Sequence, residues 1–185
     1  SNARLLATQL ADSLGWDHHS LETRRFPDSE GYIRIPSEVI DAVRKEPVVL
    51  VSNTFPDAGI VETLLMLEAI NDVRRGNLEN LREIGPQQLD DVGPGTLLAV
   101  PYFGYSRQDK RFKPGEAISA RAIGHLLASR CDGIIVFDLH APSVLQDLPV
   151  PVAFTSAMPE LARHLQETVN PDFILSPDKG AIERL

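Results

Sequence analysis

The sequence predicts an α/β protein built on a parallel sheet. Apolar, β-branched-rich runs recur at residues 47–52, 96–100 and 133–139. Each has the continuous hydrophobicity of a strand buried on both faces. Helical patterns lie between them, one running from Asp57 to about Arg75 and one opening at Ser119. Strands and helices alternating at these lengths are the pattern of βαβ units.

Taken in order, residues 4–14 place Leu6, Leu10, Ala11 and Leu14 on one helical face, and Gly15 stops that helix. Residues 20–26 and 32–35 read as a hairpin about the acidic turn Pro27-Asp28-Ser29-Glu30-Gly31. After the strand at 47–52, Thr54 with Asp57 three residues on resembles a capping box, and Pro56 suits a first helical turn. The helix that follows carries an apolar stripe of Val61, Leu64, Leu65, Leu67, Ala69 and Val73. Residues 76–95 hold a short helical pattern at 78–84 between breakers, an unusually long connection for a compact domain. Beyond the strand at 96–100, Ser119 is placed to cap a helix whose buried face is Ala122, Ile123, Leu126 and Leu127. The strand at 133–139 ends in His140, and strand alternation puts Asp138 and His140 on the same side. An extended segment at 149–154, a helix at 158–168 and a strand at 172–176 read as the beginning of a second, similar unit. The expected division is therefore 1–148 and 149–185, the second part too short to close its own core.

Composition narrows the function. The chain has 185 residues, 43% of them hydrophobic, and a formal net charge of -8. An acidic chain of this kind lacks the basic face that general nucleic-acid affinity needs. The lone cysteine, Cys131, fits a reducing cytoplasm and reads as a small buried thiol. No apolar run approaches the ~18 residues of a membrane span, and no secretory leader is visible.

Against that acidic background, residues 101–118 carry four cations, Arg107, Lys110, Arg111 and Lys113, with only two carboxylates, Asp109 and Glu116. A long polar loop after a buried strand is where open α/β sheets place ligands. The cations suit phosphate, Arg107 as a planar fork and the lysines as point charges. A second strand-to-helix turn, Ser176-Pro177-Asp178-Lys179-Gly180, can aim backbone N–H groups at another phosphate. His140 is open to two readings, a satisfied histidine at a strand end or part of a polyphosphate site.

The run from Pro101 to Ser119, PYFGYSRQDKRFKPGEAIS, resembles the signature of the ribose-phosphate diphosphokinases, especially the archaeal type. Arg25-Phe26-Pro27-Asp28-Ser29-Glu30 is similar to that family's RFPDGE turn, with Ser29 where a glycine is usual. Asp138-Leu139-His140-Ala141 matches its DLHA motif, and residues 176–180 match its SPDKG loop. The resemblance implies a phosphoribosyltransferase-like fold, with two related domains in full-length members and the second incomplete here. It implies ATP contacts from Phe26, Asp28, Glu30, Arg107 and Gln108, the first three at the adenine end and often reaching a neighbouring subunit. It assigns His140 and Asp178 to bound magnesium, and Asp178, Lys179 and Gly180 to a phosphate-binding loop. Magnesium prefers oxygen ligands and water, so His140 is expected to act through water or on a phosphate oxygen. The implied reaction is attack by the 1-hydroxyl of ribose 5-phosphate on the β-phosphorus of ATP, with AMP leaving. The family's loop lysine lies beyond Leu185, so no catalytic residue is assigned and the chain alone is expected to be inactive. A homo-oligomer, at least a dimer, is implied, with neither nucleic acid nor membrane as partner.

The rival reading is a non-catalytic regulatory or scaffold paralogue, favoured by Ser29 and the long connection at 76–95. Intact Arg107, Gln108, His140 and Asp178 speak for the enzyme. A phosphoribosyltransferase shares the half-domain fold but is expected to lack the run from Pro101.

Overall fold

The computed structural model describes residues 3–76 and 95–169, with 173 and 175. Contacts divide the chain into Ser1–Phe154 and Thr155–Leu185. The expected helix at 78–84, the strand at 172–176 and the turn holding Asp178, Lys179 and Gly180 lie outside the described residues.

The chain opens with α1, Arg4–Leu14, closed by Gly15 in the left-handed region at φ 66°. A two-stranded antiparallel hairpin follows, β1 Glu22–Arg25 and β2 Gly31–Arg34. A 3-10 turn, Ser37–Val39, leads into the short α2, Ile40–Lys45. The main sheet is β3 Val48–Val51, β4 Thr96–Val100, β5 Gly133–Phe137 and β6 Val152–Thr155, ordered β3-β4-β5-β6. β4 runs parallel to both neighbours. α3, Asp57–Arg74, follows β3, and α4, Ser119–Ala128, connects β4 to β5. A second 3-10 turn, Pro142–Leu145, follows β5. In the second unit α5, Met158–Thr168, is laced by Arg163 to Glu160 and Glu167. No helix among the described residues is long and apolar enough to cross a membrane.

The central strands supply the core. Leu98, Val100, Ile134 and Val136 are almost wholly buried, with Leu67 of α3 and Leu127 of α4 against them. Each such side chain contributes roughly 1.5–3 kcal/mol by leaving water. The helix faces agree with the expected ones in part: Leu67 and Val73 of α3 and Leu127 of α4 are buried, and Leu64, Ala69 and Ile123 pack partly buried against the core. In α4 the buried positions are Ala120, Gly124, Leu127 and Ala128, while Leu126 and Ala122 are exposed. A Cβ at Gly124 would lie 2.6 Å from Leu145 Cδ2, so only a residue without a side chain makes that contact. In α3 Ile60, Met66 and Ile70 are buried, and Val61 and Leu65 are not. Neither expected helix cap forms, since no side chain caps α3 or α4. Burial pushes the Cys131 thiol up to about 11.

At the amino edge of the sheet one buried arginine ties three segments together. Arg74 Nε donates to Val43 O at 3.2 Å, and Nη2 donates to Glu46 O at 3.2 Å and Gly95 O at 3.1 Å. Nη1 donates to the Thr96 hydroxyl. Burial lowers the guanidinium pKa, and Asp132 opposes that shift. Arg74→Ala removes a donor from three carbonyls at once, of which Gly95 O keeps the Val48 N–H. It is expected to cost about 2–4 kcal/mol in urea unfolding, and a midpoint equal to wild type would contradict this role.

Candidate functional site

Three turns leave the sheet at one edge because β3, β4 and β5 are parallel and in register, with Val51 opposite Ala99 and Val100 opposite Val136. They are residues 52–56, 101–118 and 138–141, at the carboxyl ends where open α/β sheets bind ligands.

The long loop is stitched to the turn after β3. The Tyr102 N–H donates to Asn53 Oδ1 at 3.0 Å, and the Thr54 N–H donates to Tyr102 O at 3.2 Å. The Gly104 N–H donates to the buried Thr54 hydroxyl at 2.7 Å. That hydroxyl in turn donates to Tyr102 O at 3.3 Å. The backbones come so close that a Cβ at Gly104 would lie 2.2 Å from Thr54 O, which is why glycine is required there. Tyr105, at φ 63°, donates its hydroxyl to Asp57 Oδ1 at 2.8 Å. That bond to a carboxylate raises the phenol pKa. Thr54 and Asp57, expected as a cap, therefore bind the neighbouring loop instead.

The far end of the loop is folded on itself. Glu116 Oε2 accepts the N–H groups of Phe112 at 2.7 Å and Lys113 at 3.0 Å, and Glu116 O accepts Arg111 Nε at 2.9 Å. The Ala120 N–H reaches Gln108 O at 3.3 Å, tying the loop to the first turn of α4. Between these anchors Arg107, Lys110, Arg111 and Lys113 are all exposed. Lys110 rests over the Phe112 ring at 5.5 Å. Among the described residues none of the four cations forms an ion pair. Glu116, one of the loop's two carboxylates, instead satisfies backbone N–H groups.

The pair at the end of β5 is placed differently from the expectation. The strand stops at Phe137, and Asp138 takes a left-handed φ of 45°. Strand alternation therefore does not govern Asp138 and His140, which are both exposed on either side of the buried Leu139. Both still lie on the edge that carries the long loop.

The hairpin turn keeps the geometry expected of a glycine although it holds serine. Ser29 sits at φ 74°, its N–H donating to Phe26 O and its carbonyl accepting Arg25 Nη1 at 2.8 Å. The Glu30 N–H donates to Asp28 Oδ1 at 3.1 Å, and Phe26 meets Tyr32 edge-on at 5.9 Å. Arg24 lies over both rings, 4.9 and 4.3 Å from their centroids. The hairpin packs on α3, where Arg25 pairs with Glu62. No hydrogen bond, ion pair or ring contact joins Phe26, Asp28 or Glu30 to Arg107 or Gln108. A groove of about 770 Å³ beside α1 and β3, lined by Leu10, Trp16, Val49 and Met66 among others, includes none of the expected site residues.

The chain is similar over nearly its whole length to curated archaeal proteins named ribose-phosphate pyrophosphokinase. It is 38% identical over 184 residues to that of Methanothermobacter thermautotrophicus, covering 98% of this chain and 56% of the relative. It is 34% identical to that of Methanobrevibacter smithii, covering 95% of this chain and 53% of the relative. It is also 34% identical to that of Sulfurisphaera tokodaii, covering 89% and 50%. The chain thus spans about half the length of the curated relatives it matches. The crystal structure of phosphoribosylpyrophosphate synthetase from Mycobacterium smegmatis superposes with a TM-score of 0.67 over 89% of this chain and 49% of that one, at 23% identity. That likeness carries the fold, the phosphoribosyltransferase-like α/β architecture expected from the sequence. No protein-family model matches the chain.

Two outcomes check these local readings. In an alkaline titration of the three tyrosines, Asp57→Asn is expected to bring one of them back toward the ordinary value of 10.0, and an unchanged curve would contradict the Tyr105 contact. The stability the contact contributes is present below pH ~10 and lost as pH rises through the raised value. Ser29→Gly relieves the left-handed backbone at some entropic cost. It is expected to raise stability by about 0.5–1 kcal/mol, and a loss of stability would mean that the serine is not strained.

Proposed function

We propose that this chain, related over nearly its whole length to the ribose-phosphate pyrophosphokinases, is the ATP-binding part of such an enzyme. The reaction is transfer of the diphosphoryl group of ATP to the 1-hydroxyl of ribose 5-phosphate, releasing AMP. Transfer of this kind asks little proton chemistry of the protein and much positive charge, fixed in place before the charge on the phosphate oxygens redistributes. The observation that carries the reading is the loop of residues 101–118. Its four cations have no carboxylate partner among the described residues, and its backbone is fastened at both ends on the ligand-binding edge of the sheet. Arg107 binds the triphosphate, and Gln108 contacts the nucleotide beside it.

Among the described residues no group of three or more His, Cys, Asp and Glu side chains gathers as a metal site. Magnesium is satisfied with few protein ligands when polyphosphate oxygens and water complete its octahedron, so the residues present fit an ion that arrives with ATP. In this reading His140 would hold it through water or a phosphate oxygen, and the ion would neutralise phosphate charge; Asp178, outside the described residues, is kept as a metal residue on its motif alone. Asp178, Lys179 and Gly180 face the diphosphate and the sugar phosphate. Phe26, Asp28 and Glu30 sit at the adenine end, presented to a neighbouring copy in a homo-oligomer of at least two chains. The setting is the cytoplasm.

Calorimetry of Mg·ATP binding to the chain tests the assignment. A hydrogen bond to a charged partner contributes about 1.5–3 kcal/mol, so Arg107→Ala is expected to weaken binding by roughly ten-fold or more. Equal affinity would remove the arginine from the site.

A further inference from the structure

The turn after β3 has no part in the binding motifs, yet Asn53, Thr54 and Phe55 in it each reach the loop that carries Arg107. Asn53 takes the N–H of Tyr102, Thr54 takes that of Gly104, and Asp57 takes the hydroxyl of Tyr105. These partners lie two to five residues before Arg107. Thr54 is 1% exposed, so its hydroxyl has no water to fall back on. Gly104 leaves no room for the loop to shift, because its Cα already packs against the carbonyl of Thr54. Asp57 opens α3 without a capping bond of its own, and Tyr105 accepts a left-handed φ to reach it.

We infer that Thr54 is a positioning residue for nucleotide binding, with the Tyr105–Asp57 bond as its outer support. Through Gly104 it fixes where Arg107 and Gln108 stand at the sheet edge. This inference rests on the reading that Arg107 binds nucleotide phosphate. Thr54 touches no ligand itself and acts only through the loop. A buried threonine that served stability alone would have the same contacts but no effect on affinity in the folded protein. That difference makes the inference testable.

The experiment measures Mg·ATP affinity of the chain at a temperature where every variant is folded by circular dichroism. Thr54→Val keeps the shape and removes the acceptor of the Gly104 N–H. It is expected to weaken binding about five-fold or more, and Thr54→Ser to return it to within about two-fold of wild type. Thr96→Val removes the partner of Arg74 at the opposite edge of the sheet. It is expected to lower stability and leave affinity unchanged. On an Arg107→Ala background Thr54→Val should weaken binding by clearly less than it does in the wild type, because part of its effect passes through the arginine and the rest through Gln108. Should Thr54→Val fail to fold, Tyr105→Phe at the exposed end of the same junction decides, with about a three-fold loss expected.

Wild-type affinity in Thr54→Val, or in Tyr105→Phe where that variant decides, overturns the positioning role while leaving Arg107→Ala free to show its own loss. Full additivity of Thr54→Val with Arg107→Ala also overturns it. If Arg107→Ala itself binds as wild type, the nucleotide reading fails first and takes this inference with it.

Discussion

Parallel pairing of β4 with β3 and β5 is the constraint on which the site depends. Parallel strands must all release their chain at the same edge, so the turns after β3, β4 and β5 have no choice but to meet there. What the sequence adds is a way to fasten them. The Thr54 hydroxyl, accepting the Gly104 N–H at 2.7 Å, joins the first turn to the second where the two backbones touch. A polar bond in a buried position is costly to break, and a glycine with no spare room cannot slide. The long loop is thereby held at its root by a neighbouring turn and at its tip by Glu116.

The same arrangement settles how an acidic chain presents positive charge. A net charge of -8 would ordinarily supply carboxylates to pair with any exposed cation. Here Asp57 is engaged by Tyr105 and Glu116 by two backbone N–H groups, so these carboxylates organise the loop and do not quench it. Elsewhere the pattern is ordinary. Arg25, Arg34, Arg130 and Arg163 each find a carboxylate. Among the described residues Arg4, Arg24, Arg44 and Arg121 also form no ion pair, so what sets the loop apart is four such cations within seven residues on a backbone fastened at the sheet edge.

Much of the architecture was legible. Residues 4–14, 96–100 and 158–168 form the elements that their apolar spacing indicates. α2 was not, since a six-residue helix offers too few turns for a period to show. The face of α4 was read in part: Leu127 is buried as expected, whereas Leu126 and Ala122 are exposed and Gly124, a residue with no apolar side chain to signal burial, makes the close approach to Leu145. Arg107 and Gln108 were legible as a motif. The support beneath them was not, because Thr54 and Asp57 three residues apart look the same whether they cap a helix or hold a loop fifty residues away. Only the fold decides between those uses. Asp138 illustrates the opposite limit: strand alternation ends where φ turns positive, and no sequence period records that.

Amide chemical-shift mapping of the labelled chain during a Mg·ATP titration tests the central claim most directly. The account predicts that the largest shifts fall on Gly104, Tyr105, Arg107 and Gln108, with a second set at Leu139 and His140. Shifts confined to β3 and α1, around the 770 Å³ groove, would contradict it.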